Sequence, residues 1–261
     1  MSNKKAKESK SNSPLLIIVG VLLVAALGGW YLYSSQANSP AAKSNPASNT
    51  AANKPKVSTI PAGAPPGAQP PNQAGSQAAS VKIEEFADFQ CSSCAQVNPI
   101  FNEIKSTYGA KIHFVFRHFP LPNHTKSYDA AVASEAAGMQ NRFWDMQHQL
   151  LSNQQAWTNS PSHKEIWKAY AEKIGLDVAK WETDILGIGA KIRVDEDMKR
   201  ARAIGVNSTP TLYINGTLVP YTEINDAQKL KGIIDAELAR AAQQNTATGS
   251  AQQPAAANTN P

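Results

Sequence analysis

The two cysteines of this chain, Cys91 and Cys94, stand where a strand hands over to a helix. The run Val81-Lys82-Ile83-Glu84-Glu85-Phe86 reads as a strand and passes through Ala87-Asp88-Phe89-Gln90 into Cys91-Ser92-Ser93-Cys94. Beyond it, Val97, Ile100, Phe101, Ile104 and Tyr108 recur at the spacing of one apolar helix face, with Pro99 expected to kink the helix. A thiol at a helix start faces unpaired backbone N–H groups and the positive end of the helix dipole, and both favour the thiolate. Two intervening residues let the second thiol reach back to the first. The pair therefore predicts a dithiol–disulfide redox centre on a strand–helix unit.

The remaining pattern extends that unit. Lys111–Arg117 alternates as a second strand, and the helix before it supplies a crossover that makes the two strands parallel. From Thr125 to about Arg202 the periodicity is helical throughout, with an Ala-rich segment at Ser127–Met139 and apolar faces carrying Trp144, Trp167 and Trp181. Strands then return: Thr211–Ile214, the dipeptide Asn215-Gly216, and Thr217–Val219 predict a hairpin, because Asn-Gly accepts the positive φ angles of a tight turn. A last helix is expected from about Asp226, with Leu230, Ile233, Ile234 and Leu238 on one side. The fold class is α/β with an all-helical insertion at about 124–203.

Composition divides the chain around this domain, which is placed at 81–243. Residues 34–80 and 244–261 are rich in Ala, Pro, Ser, Asn, Gln and Gly and nearly devoid of large apolar side chains, so both are expected to be disordered. Residues 15–33 carry no charge and, as a helix, would extend ~28 Å, close to the hydrocarbon thickness. Trp30, Tyr31 and Tyr33 end that segment, and Lys4, Lys5, Lys7 and Lys10 precede it within the basic stretch 1–14. The charge bias predicts a single-pass anchor in the cytoplasmic (inner) membrane, with the N-terminus in the cytoplasm and everything after Ser34 outside it. A cleaved signal peptide ending near Ala37 is the alternative; either places the cysteines where a disulfide persists. The net charge of +5 owes much to the lysines before the anchor, and no stretch interleaves basic and aromatic residues as a nucleic-acid groove would.

Four blocks in this order resemble the DsbA-like thiol–disulfide oxidoreductases, an elaborated thioredoxin fold. They are Phe86–Cys94, Phe116–Leu121, Ala133–Gly138 and Gly205–Gly216. The resemblance implies that Thr209–Pro210 is a cis peptide bond beside the cysteines, presenting its backbone to an extended substrate segment. It implies that Cys91 is the attacking thiol and Cys94 the buried resolving one. It also implies a buried acid six residues before the first cysteine, which falls on Glu85; with Glu84 beside it, a surface Glu on a half-exposed strand is the other reading. Such an acid beneath Cys94 would have a raised pKa and relay its proton. Ser92 stands where proline is common in the family, and Ser93 where its most oxidising members carry histidine. Their hydroxyls carry no charge, so Cys91 is expected to be less acidic than beside an imidazolium, and its disulfide less oxidising.

Three functions follow. The first is an oxidase passing its disulfide to exported proteins and reoxidised by a quinone-linked membrane partner, as the family implies. The second is a membrane-tethered reductase or isomerase kept reduced by a membrane donor. The third is a metal-binding module using Cys91 and Cys94, although no second cysteine pair and no closely spaced histidine pair accompanies them. No cofactor beyond the Cys91–Cys94 disulfide and no bound metal is expected.

Overall fold

The computed structural model describes residues 58–251, with side chains through residue 244. The expected N-terminal stretch 1–14, the expected anchor 15–33, the first part of the expected linker and the last ten residues lie outside the described residues. Among the described residues, no helix is long and apolar enough to cross a membrane.

The elements are β1 (Asn72–Gly75), β2 (Val81–Ala87), α1 (Ser92–Tyr108), β3 (Ile112–His118), six helices of an insertion, then β4 (Thr211–Ile214), β5 (Thr217–Val219), α8 (Tyr221–Ile224) and α9 (Ala227–Ala251). The insertion comprises α2 (Ser127–Gly138), α3 (Phe143–Ser152), α4 (Gln154–Thr158), α5 (His163–Lys173), α6 (Val178–Leu186) and α7 (Ile188–Ala203). One five-stranded sheet runs β1-β3-β2-β4-β5. β2 and β3 are parallel, in register from Val81↔Ile112 to Ala87↔His118, as the α1 crossover requires. The other neighbours are antiparallel. Helix α1 continues through Pro99 to Tyr108.

Alternation along β2 decides what each face carries. Val81 and Ile83 join Val97, Phe101 and Ile104 of α1 and Leu230 and Ile234 of α9 in one core, and Glu85 shares their parity. Phe86 points the other way, toward Ala201 and Ile204 at the end of α7 and Tyr213 of β4. A third core fills the insertion, where the small side chains of α2 let it pack closely against α3, α6 and α7. Trp157, Trp167 and Trp181 are buried there, each fully buried aromatic contributing roughly 1.5–3 kcal/mol or more. The hairpin turn is the one expected from its sequence: Asn215 and Gly216 have φ of 48° and 77°.

Two expected boundaries are corrected. The segment from Ser58 to Ser80, assigned to a disordered linker, is built into the domain as a strap. Its first residues pair with the outer edge of the hairpin: Leu218 N donates to Ser58 O (2.9 Å) and Ile60 N to Gly216 O (2.8 Å). Ile60 and Ala64 pack against the Phe86 core, and β1 adds to the far edge of the sheet beside β3. Between these ends, the buried Arg117 and the half-buried Arg200 hold the strap by its carbonyls. Arg117 donates to Pro66 O (2.8 Å) and Ala68 O (2.9 Å), and Arg200 donates to Pro65 O (2.6 Å). Gly67, at φ +74°, lies so close that a Cβ there would come within 2.7 Å of Arg117 Nη1. Ordering this apolar-poor stretch is offset by charge-assisted hydrogen bonds rather than by burial of large side chains. At the other end, α9 runs on to Ala251 instead of stopping near Gln243.

Candidate active site

Cys91 is the N-cap of α1, with φ −74° and ψ 118°, and Ala95 N makes the first helical bond to its carbonyl (3.2 Å). Both cysteines are free thiols. Cys91 keeps 8% of its surface exposed and Cys94, one turn on, keeps none, so an approaching molecule meets Cys91 first. The Thr209–Pro210 bond is cis, and Cys91 Sγ donates to Thr209 O at 3.3 Å. The structure thus brings residues 91, 94, 209 and 210 together from two segments more than 100 residues apart.

The two sulfurs sit in opposite electrostatic settings. A hydrogen bond from the Cys94 thiol, then one from the Thr209 hydroxyl and the N–H groups of Cys94 and Ser93, pull Cys91 down to about 5 against the cost of burial. Thr209 Oγ1 is buried and has no other hydrogen-bond partner, which leaves it free to serve the Cys91 thiolate. Cys94 is pushed well up, by burial first and then by its hydrogen bond to Cys91 and the charge that forms there. Ser92 is exposed, and neither serine hydroxyl contacts the sulfur; Ser93 contributes its backbone N–H. The hydroxyl that serves the sulfur comes from Thr209 rather than from Ser92 or Ser93.

Glu85 is 2% exposed on the α1 face of β2, near enough to Cys94 that a charge on it would push that thiol up. Burial pushes its carboxyl up, against the pull of Lys105 from α1. Burial lowers Lys105 in turn, against the pull of Glu85, while its ammonium lies 4.0 Å from the centre of the Trp144 ring. Glu84 faces the opposite way and pairs with Arg117 (2.8 Å) and Arg200 (2.6 Å). A buried carboxyl that is neutral over much of the physiological range, beneath a buried thiol, can hand that thiol a proton.

Several residues to which the sequence gave no role are drawn together by the fold. Asp88 is buried and accepts from Gln90 N (2.7 Å), Leu121 N (2.8 Å), His124 Nδ1 (2.7 Å) and the Ser127 hydroxyl, fixing the loop before Cys91 to the start of the insertion. Its side chain accepts donors from segments that only the fold assembles. His118, Glu135 and Asp197 also converge, with potential ligand atoms within 4.8 Å of one another. Arg117 already pairs with Asp197 (2.9 Å) and Arg193 with Glu135 (2.5 Å), so the positive charge a cation would bring is in place.

Residues 69–236 match the family described as thioredoxin. Among solved structures, oxidised BdbD from Bacillus subtilis is similar with a TM-score of 0.57 at 23% identity, covering 64% of this chain and 92% of that one. The thiol-disulfide exchange protein α-DsbA2 from Wolbachia pipientis gives 0.54 at 23%, covering 64% and 86%. α-DsbA1 from the same organism gives 0.58 at 18%, covering 67% and 94%. In sequence, the chain is 36% identical over 141 residues to the Na(+)/H(+) antiporter NhaA 1 of Mycolicibacterium gilvum, covering 53% of this chain and 22% of that protein. The chain thus spans about a fifth of the length of the curated relatives it matches.

Proposed function

The chain belongs to the thioredoxin family, and on that premise we propose that it is a thiol–disulfide oxidoreductase that introduces disulfides into exported proteins through Cys91 and Cys94. The observation that carries this reading is the asymmetry of the pair. Cys91, beside the cis-proline loop, is drawn down to about 5, while Cys94 behind it is pushed up.

In the oxidised enzyme, a client thiolate attacks the Cys91 sulfur. A client–Cys91 bond forms, the Cys91–Cys94 bond breaks, and Cys94 leaves with the electron pair. Cys94 cannot stay ionised where it is buried, so it takes a proton, and the neutral Glu85 carboxyl beneath it is the donor at hand. A second client thiolate then attacks the client sulfur of the mixed disulfide, and Cys91 departs as the stabilised thiolate. Two electrons have passed from client to enzyme. A quinone-linked membrane partner removes them, restoring the disulfide as Cys94 gives up its one proton. The Thr209 carbonyl, beside Cys91, can accept a backbone N–H from the client chain.

The same asymmetry supports the oxidising direction. A stabilised Cys91 thiolate favours the reduced enzyme and makes its disulfide the stronger oxidant. A value of about 5 lies between the ~7 of thioredoxin and the ~3.5 of DsbA, on the oxidising side of the former. The domain would work outside the cytoplasm, tethered through residues 15–33, with no part in nucleic-acid binding. Equilibration with glutathione buffers tests the direction: an oxidase has a Cys91–Cys94 potential nearer about −120 mV, and a value near about −270 mV would make it a reductase.

A further inference from the structure

We propose that Gln154 is a positioning residue for the nucleophile: reaching from the helical insertion, its side-chain amide fixes the backbone carbonyls on either side of Gln90 and so sets where Cys91 presents its sulfur. This rests on the thiol-exchange reading of the Cys91–Cys94 pair.

Gln154 opens the five-residue helix α4 and is 9% exposed. Its Nε2 donates to Phe89 O at 2.7 Å and to Cys91 O at 2.9 Å. An amide nitrogen has two hydrogens, and both are used on carbonyls two residues apart. The loop is thereby bent around Gln90. Cys91 O already accepts the first helical bond from Ala95 N, so Gln154 is a second donor on the carbonyl of the N-cap itself.

The other end of α4 is tied to the same loop. Gln90 Oε1 accepts from Lys126 N at 2.7 Å, and Lys126 Nζ donates to Thr158 O (2.5 Å) and Ser160 O (2.9 Å), where α4 ends. Trp157 anchors the helix between these ties. It is fully buried, its Nε1 donates to Leu150 O (2.8 Å), and its ring meets that of Trp167 at 5.2 Å. The α4 helix is therefore a rigid jaw closed on residues 89–91.

The consequence is geometric. Cys91 Sγ reaches Thr209 O on one side and the N–H groups of Ser93 and Cys94 on the other, through a backbone at ψ 118°. A modest rotation of the Cys91 peptide planes would break one set of contacts or the other. Gln154 opposes that rotation without touching the sulfur.

The test is Gln154→Met in the full-length chain, a substitution of similar length that adds no charge and removes both donors. Thiolate absorbance of the reduced protein is followed against pH, with a thermal melt alongside. The expected result is an upward move of the Cys91 midpoint by about one unit, a tenfold change in its ionisation constant. Gln90→Leu, which cuts the tie to Lys126 N, is expected to move it in the same direction and serves if Gln154→Met does not fold. An unmoved midpoint in whichever variant folds, with or without a lower Tm, overturns the positioning role. A wild-type chain whose Cys91 titrates like a free thiol near ~8.5 would instead sink the redox reading itself.

Discussion

Cys91 has a different contact for each of its protonation states. As a thiol it donates to the Thr209 carbonyl; as a thiolate it accepts from the Cys94 thiol, the Thr209 hydroxyl and two backbone N–H groups. A hydrogen bond to a charged group is worth about 1.5–3 kcal/mol, and one pKa unit is about 1.4 kcal/mol. Thr209→Val is therefore expected to raise the Cys91 midpoint by about one to two units in a thiolate-absorbance titration, with little change in Tm. An unshifted midpoint would show that the hydroxyl takes no part. The pH dependence has a definite sign. The folded value of about 5 lies below the ~8.5 of a free thiol, so ionisation stabilises the folded, reduced protein. That stabilisation is complete above ~8.5 and is lost as pH falls through about 5. The Tm advantage of the reduced over the oxidised protein should shrink steadily as pH is lowered across that window. At this scale the cysteine pair was readable as a motif, whereas the cis bond at Thr209–Pro210 and a buried acid at Glu85 were implied by the family resemblance alone; the structure has that bond cis and Glu85 buried. Asp88 and Gln154 were not readable, because the donors and carbonyls that define their work come from segments up to 65 residues away.

Among the elements, the strap depends most on long-range chemistry. Its carbonyls are held by Arg117 from β3 and by Arg193 and Arg200 from α7, and those arginines are balanced by Glu84, Asp197 and Glu135. Removing one member of such a network leaves its partners buried and unpaired, at a cost of about 3–5 kcal/mol. Arg117→Leu should therefore lower the urea midpoint by that equivalent and make residues 61–71 the first site of limited proteolysis. A loss below about 1 kcal/mol would mean the strap is held by packing of Ile60 and Ala64 alone. The regular elements were legible because periodicity is a local property: β2, α1, β3, the insertion and the Asn215-Gly216 hairpin all follow from it. The strap was not, since a Pro-rich, apolar-poor stretch looks unfoldable until the distant guanidinium groups that bind its backbone are in view. The short helix α4 was missed for a similar reason, being too brief to show a period.

At the scale of the whole molecule, a thioredoxin-family sheet carries the cysteine pair at its strand ends, and the insertion closes over the loop that leads to it. The strap completes the two sheet edges. The sheet and the insertion meet at one place: a partly accessible sulfur at Cys91, a shielded one at Cys94, and the Thr209 carbonyl beside them. The division of labour between the two sulfurs is the claim on which the proposed function stands. Cys94→Ala tests it most directly, by incubating the full-length variant with disulfide-bearing or extracted exported proteins and resolving adducts by non-reducing electrophoresis and mass spectrometry. Mixed disulfides formed through Cys91 are expected, persisting because no resolving thiol remains, and none with Cys91→Ala. Adducts formed through Cys94 in Cys91→Ala, or no adducts through Cys91 in Cys94→Ala, would contradict it.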